Sequence, residues 1–125
     1  RWNNDITDKL LESALEALEK SKIAKKNIRV VYVAGSVEIP FALLKLAKSE
    51  RYHFLVALGC IIRGGTPHFD YVCKMAQEGI LAVMREEETP VGFGELTVNN
   101  IKQAQKRIHV GGESALAALE LALLK

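Results

Sequence analysis

The sequence predicts an α/β fold, a three-layer α/β/α sandwich around a parallel sheet, and three observations carry that reading. Helix-period and strand-period segments alternate along the chain. The segment from Phe54 to Ile62 is almost continuously apolar, as a strand covered on both faces must be. That segment breaks at Gly64-Gly65 and restarts as a helix, the step that begins a right-handed crossover. With 125 residues there is room for one core, so residues 1–125 are expected to form a single domain.

Taken in order, Leu10, Leu11, Ala14, Leu15 and Leu18 share one face of a helix over residues 8–22, which Asp5 or Thr7 is placed to cap. The β-branched run Ile28 to Val33 reads as the first visible strand, followed by a turn over residues 34–39. Pro40 opens a second helix, Phe41 to Lys48. After the 54–62 strand, Thr66 suits an N-cap and Pro67 the first helical position. The helix then runs to about Arg85 on the period of Val72, Met75, Ala76, Ile80 and Val83. Val91 to Thr97 is a third strand, Asn99 to Arg107 a short polar helix, and Ser114 to Leu124 an Ala/Leu-rich closing helix. Three strands are few for so many helices, and the sequence opens on a helix, so a further strand is expected ahead of Arg1.

Composition excludes several classes. Hydrophobic residues make up 49% and charged residues 26%, as in an ordinary globular protein. A net charge of +2 with scattered basic residues leaves no nucleic-acid footprint, and the Lys20–Lys26 cluster reads as an exposed helix end. Cys60 and Cys73 have neither the spacing nor the company of metal ligands and fit a reducing, cytoplasmic setting. No signal-peptide pattern and no apolar run of membrane-spanning length is seen, so neither nucleic acid nor a membrane is expected as a partner.

In open α/β sheets ligands bind beyond the carboxyl ends of the strands. That rule gathers Gly35 to Glu38, Cys60 to His68 and Gly92 to Thr97, with Trp2 and Asn3 joining them if a strand precedes Arg1. His68 falls in the first turn of a helix, where an imidazole can take or give a proton and free backbone N–H groups suit an anion. The same residues also make a well-capped helix start with no chemistry attached. Glu38 equally suits the dipole at a helix start, Trp2 equally suits a core, and Arg107 is by default a solvated cation at a helix end. Together these residues point to a small planar, polar ligand carrying an anionic group.

At this point the motifs resemble those of the 6,7-dimethyl-8-ribityllumazine synthase family. They are Arg1-Trp2-Asn3 with Ile6-Thr7, the run Val33 to Pro40, the run Ala57 to Val72, Pro90 to Thr97, and Gln103-Ala104 with Arg107, in the family's order along nearly the whole chain. The resemblance implies a flavodoxin-like parallel sheet whose first strand precedes Arg1. It implies condensation of 5-amino-6-(ribitylamino)uracil with 3,4-dihydroxy-2-butanone 4-phosphate, releasing phosphate and water, with no metal or organic cofactor. By the same resemblance Trp2, beside Asn3, stacks on the pyrimidine, and Ser36, Val37 and Glu38 hold the ribityl hydroxyls. Cys60, Ile61 and Ile62 read the heterocycle through backbone groups, Gly65 and Thr66 lie on the phosphate side, and His68 transfers protons. Phe93 and Arg107 are contributed by a neighbouring subunit, Arg107 pairing with the phosphate. The implied assembly is a homopentamer, alone or built into a sixty-subunit shell.

The resemblance weakens after Arg107. The family continues through a Gly-Thr-Lys-rich loop, whereas here Ile108-His109-Val110-Gly111-Gly112 follows, several residues shorter, with Val110 or its neighbour where a substrate-binding lysine is expected. Two alternatives therefore stay open: a non-catalytic lumazine- or flavin-binding or scaffold protein of the same fold, and a domain of this fold that binds another phosphorylated ligand.

Overall fold

Two strands, β1 (Leu55–Ile62) and β2 (Val91–Val98), pair in parallel, with Leu55 opposite Val91 and Ile62 opposite Val98. The computed structural model describes residues 4–124. Because side chains alternate across a strand, each face of this sheet has its own cover. On one face Leu55, Ala57 and Val91 meet Ile39, Leu43 and Ala47 of α2 (Ile39–Lys48) and Ile80 and Val83 of α3 (His68–Glu87). On the other, Cys60, Leu96 and Val98 meet Ile6 and Leu10 of α1 (Asn4–Lys20) and Ala104 of α4 (Ile101–Gln105). Ala14 and Leu18 of α1 close that layer against Ala115 of α5 (Val110–Ala122). The predicted α/β/α layering is present.

The predicted strand over residues 28–33 is not. That segment is extended but joins no ladder, and Tyr32 is 60% exposed, so the sheet among the described residues has two strands and not three. The reason is the lack of a neighbour. β2 occupies one edge of β1, and the opposite edge opens on a cavity of about 890 Å³ lined by residues 28–33, by residues 54–60, and by side chains of α1 and α2. β-branched composition favours a pleated conformation, but only a partner strand turns it into sheet.

Helix ends also differ in instructive ways. Asp5 and Thr7 lie inside α1 and do not cap it; the Thr7 hydroxyl donates back to the Asn4 carbonyl at 3.3 Å. Its C-terminus is a Schellman closure: Lys22 is left-handed (φ 66°), Ile23 N–H donates to the Leu18 carbonyl and Lys22 N–H to that of Glu19. Ile23 and Leu18 then pack together, as that motif favours. The expected helix over residues 99–107 contracts to α4, and α5 begins at Val110 rather than Ser114. Gly111 and Gly112, ahead of the start expected at Ser114, lie inside α5 and seat it on α1. Gly111 lies against the Leu10 carbonyl where a Cβ would collide, and Gly112 N–H donates to Ser13 Oγ at 2.9 Å.

This close approach predicts that Gly111→Ala lowers unfolding free energy by about 1–3 kcal/mol through overpacking, seen as a lower urea midpoint. Gly64→Ala, with nothing within 4 Å of the added methyl, should move it by less than about 0.5 kcal/mol.

Candidate active site

Three elements meet at the carboxyl end of the sheet: the exit of β1, the 3₁₀ turn Ser36–Glu38 that leads into α2, and the start of α3. Ser36 stands over β1, its Oγ 2.9 Å from where a Cβ on Gly59 would sit. Val37 is half-buried beside it, and Glu38 is exposed at the start of α2, where the helix dipole favours a carboxylate and no side-chain cap bond forms. Cys60 and Ile61 are buried, and Ile62 is half-buried. The Cys60 thiol lies in the core on the α1 side and burial pushes its pKa up, so sulfur nucleophilicity is not what it brings to the site.

Arg63 ties the end of β1 to everything around it. Its backbone N–H donates to the Val98 carbonyl at 2.8 Å, continuing the ladder one residue past the strand. Its Nε donates to Asn99 Oδ1 at 2.9 Å, its guanidinium lies 4.5 Å from the centre of the Phe69 ring, and Nη2 is 3.8 Å from Asp70 Oδ1. Each contact is weak at an exposed position, but all pin one side chain between β2 and the first turn of α3. Both ends of the Gly64–Pro67 loop are thereby held.

His68 follows directly. The Thr66 hydroxyl accepts from His68 N–H at 3.4 Å, so Thr66 helps close the helix start as its position suggested. The helix is bounded one residue later than expected, with Pro67 already helical (φ −63°, ψ −5°). Gly64, Gly65, Thr66 and His68 are all exposed. The structure thus brings Ser36, Val37, Cys60, Ile61, Ile62, Gly65, Thr66 and His68 to one end of the sheet.

Phe93 and Arg107 stand apart. Phe93 is 42% exposed although its strand neighbours Gly92 and Gly94 are buried. Arg107 Nη1 donates to the Gln103 carbonyl at 2.8 Å, closing the end of α4. That short helix is capped reciprocally: Asn100 Oδ1 accepts from Gln103 N–H, and Gln103 Oε1 from Asn99 N–H at 2.7 Å. Among the described residues, no hydrogen bond or ion pair joins Phe93 or Arg107 to His68. Trp2 and Asn3 lie outside the described residues.

Sequence reasoning passed over Glu95. It pairs with Gly59 across the ladder, is only 4% exposed, and neither carboxylate oxygen has a hydrogen-bond partner. A Cβ on Gly59 would fall 2.9 Å from Glu95 Oε1 as well as from Ser36 Oγ, so the carboxyl and the hydroxyl converge over that glycine. Desolvation raises the carboxyl from 4.5 to about 7; the nearby Ser36 hydroxyl pulls the other way, without meeting it in hydrogen-bond geometry. The signal was a lone acid inside an otherwise apolar strand.

Folding therefore favours protonated Glu95. Its stabilising contribution is fully present below about pH 4.5 and is lost as pH rises through about 7, for a total of about 3 kcal/mol. Urea unfolding across this range should show that decline in the wild type, and Glu95→Gln should remove it.

The profile of the 6,7-dimethyl-8-ribityllumazine synthase family matches residues 1–125. A 6,7-dimethyl-8-ribityllumazine synthase from Desulfovibrio desulfuricans is 45% identical over 125 residues, covering 96% of this chain and 80% of that relative. Similarity of this extent, on a layered frame with a glycine loop and a histidine at the strand end, leaves one assignment: the chain belongs to the 6,7-dimethyl-8-ribityllumazine synthase family.

Proposed function

We propose that the crevice at the carboxyl end of β1 condenses 5-amino-6-(ribitylamino)uracil with 3,4-dihydroxy-2-butanone 4-phosphate to give 6,7-dimethyl-8-ribityllumazine. This is the transferase reaction of the family to which the chain belongs. The supporting observation is His68, exposed at the start of α3 beside a glycine loop whose two ends Arg63 holds.

In this reading Ser36, Val37 and Glu38 grip the ribityl chain, an ionised carboxylate accepting from two hydroxyls. Backbone groups of Cys60, Ile61 and Ile62 orient the heterocycle, on which Trp2 stacks with Asn3 alongside. The phosphate lies at Gly65 and Thr66, where N–H groups at the helix start face it, and Arg107 of a neighbouring copy pairs with it. The amine attacks the ketone and water leaves as the imine forms; phosphate is then eliminated, and ring closure expels a second water. Every step moves protons and leaving groups only, so the scheme calls for no metal and no organic cofactor. Proximity of two reactive substrates supplies much of the acceleration, and His68 relays the protons.

The same reading requires a second copy of the chain. Phe93, Leu116, Leu121, Leu123 and Leu124 are exposed, and packing between copies would remove them from water. We propose a homopentamer, alone or as the unit of a sixty-subunit shell, working in the cytoplasm. No described helix is long and apolar enough to cross a membrane.

One observation favours a second reading, a binding protein without turnover. The turn Lys106–His109 passes straight into α5, and no lysine lies between Arg107 and that helix. Calorimetric binding of 6,7-dimethyl-8-ribityllumazine without product formation from the two substrates would select it.

For the enzyme, His68→Ala should lower kcat by about 10²–10⁴-fold while leaving KM for both substrates nearly unchanged; an unaltered kcat rejects the role. Mixing subunits tests the shared site. Separately inactive His68→Ala and Arg107→Ala proteins, unfolded and reassembled together, should regain about a quarter of wild-type activity, because each interface draws one residue from each copy. No recovery, with mixed assemblies shown by mass spectrometry, rejects a site spanning two subunits.

A further inference from the structure

Glu95 is a buried polar group that the scheme above does not use. Both oxygens lie within the fold without a hydrogen-bond partner, on the α2/α3 side of the sheet, two ladder pairs below Ile61 and Thr97. Leaving a carboxyl orphaned there is costly unless something at the site completes its bonding. The side-chain hydroxyl of Ser36 is set over the same glycine.

We propose that Glu95 is a positioning residue that sets the direction of the Ser36 hydrogen bond toward the ribityl chain of the substrate. The inference rests on Ser36 and Glu38 being ribityl contacts. Exposed Glu38 accepts from a ribityl hydroxyl, which leaves that hydroxyl's oxygen to accept in turn. Protonated Glu95 donates to Ser36 Oγ and frees the Ser36 O–H for this oxygen. The chain then runs in one sense, from Glu95 through Ser36 and the ribityl hydroxyl to Glu38. Ionised Glu95 draws the Ser36 proton to itself, and the chain ends in acceptors at both sides with one donor missing.

The carboxyl, raised to about 7 by desolvation, changes state in the range where this matters. Other ionisable groups near it are few. From α3 the Cys73 thiol faces it, itself pushed up by burial and then by Asp70 and Glu95. The 3₁₀ turn supplies Glu38, β1 supplies glycine at the contact, and the Arg63–Asp70 pair and His68 lie at the strand end. His68 is the other proton-transferring group proposed for this site, so the test must separate the two.

Binding of 6,7-dimethyl-8-ribityllumazine to the full-length protein, by calorimetry in buffers of differing ionisation heat, supplies the readout. In the wild type affinity should fall about tenfold between about pH 6 and pH 8.5, with fractional proton uptake on binding near pH 7. Glu95→Gln, which keeps a donor, should bind with the low-pH affinity throughout and take up no proton. Glu95→Val, which neither donates to Ser36 nor draws its proton, should bind without pH dependence at an affinity between the two wild-type extremes, while melting no lower than the wild type. His68→Ala should retain the wild-type dependence. Equal pH profiles in wild type and Glu95→Gln, or a profile abolished by His68→Ala, overturn the proposal. Ser36→Ala distinguishes the underlying reading: if it leaves affinity unchanged, Ser36 is not a ligand contact and both fall. If Ser36→Ala weakens binding but Glu95→Val does not, only the role of Glu95 falls.

Discussion

The parallel register of β1 on β2 is the constraint from which the rest of the site follows. With Gly59 opposite Glu95 and Ile62 opposite Val98, the two strands end level, and Arg63 extends the ladder by one further bond. A slip of one residue would turn every side chain to the other face, exchanging the α2/α3 core for the α1 core. It would also take Glu95 away from Ser36 and Arg63 away from Asn99. Burial on both faces holds the register, and with it what stands at the carboxyl end of the sheet.

What rigidity it has comes from one cation. Phe69 and Asp70 of α3 and Asn99, just past β2, are far apart in the chain, and all three engage Arg63. The loop from Gly64 to Pro67 is exposed and has open space around its glycines, so it has room to adjust while Arg63 engages residues on either side of it. A positioned scaffold with a yielding loop is how a site can pre-orient a proton donor and still close on its ligand.

Sequence patterning revealed β1, β2 and α3 because each carries its own evidence: an apolar run, a turn signal, a helical period. The segment over 28–33 looks the same by composition but differs in the structure, because being a strand depends on a neighbour that composition cannot show. The opposite error occurred at the start of α5, expected at Ser114 but found at Val110, where Gly111 and Gly112 allow one helix to press on another. Family motifs pointed to the carboxyl end of the sheet, and the structure brings His68, Thr66 and Ser36 to that end. Glu95 stood in plain sight within a motif and was passed over, since its meaning lies in burial against Gly59 and Ser36 and not in spacing. Phe93 and Arg107 illustrate a further limit: the roles proposed for them are shared between subunits, and such roles leave no imprint on contacts within one chain.

The groove beside β1 has a bearing on how the sheet extends. Bare strand edges invite docking between molecules, and such edges commonly carry charge or proline as a deterrent. Leu55–Ile62 carries neither. Residues of α1, α2 and the 28–33 segment line the cavity along it, on the side open to the strand that the sequence predicts ahead of Arg1. A strand seated there would give the β-branched run over 28–33 the neighbour it lacks, so that the sheet would widen from within the chain and not by pairing with another molecule.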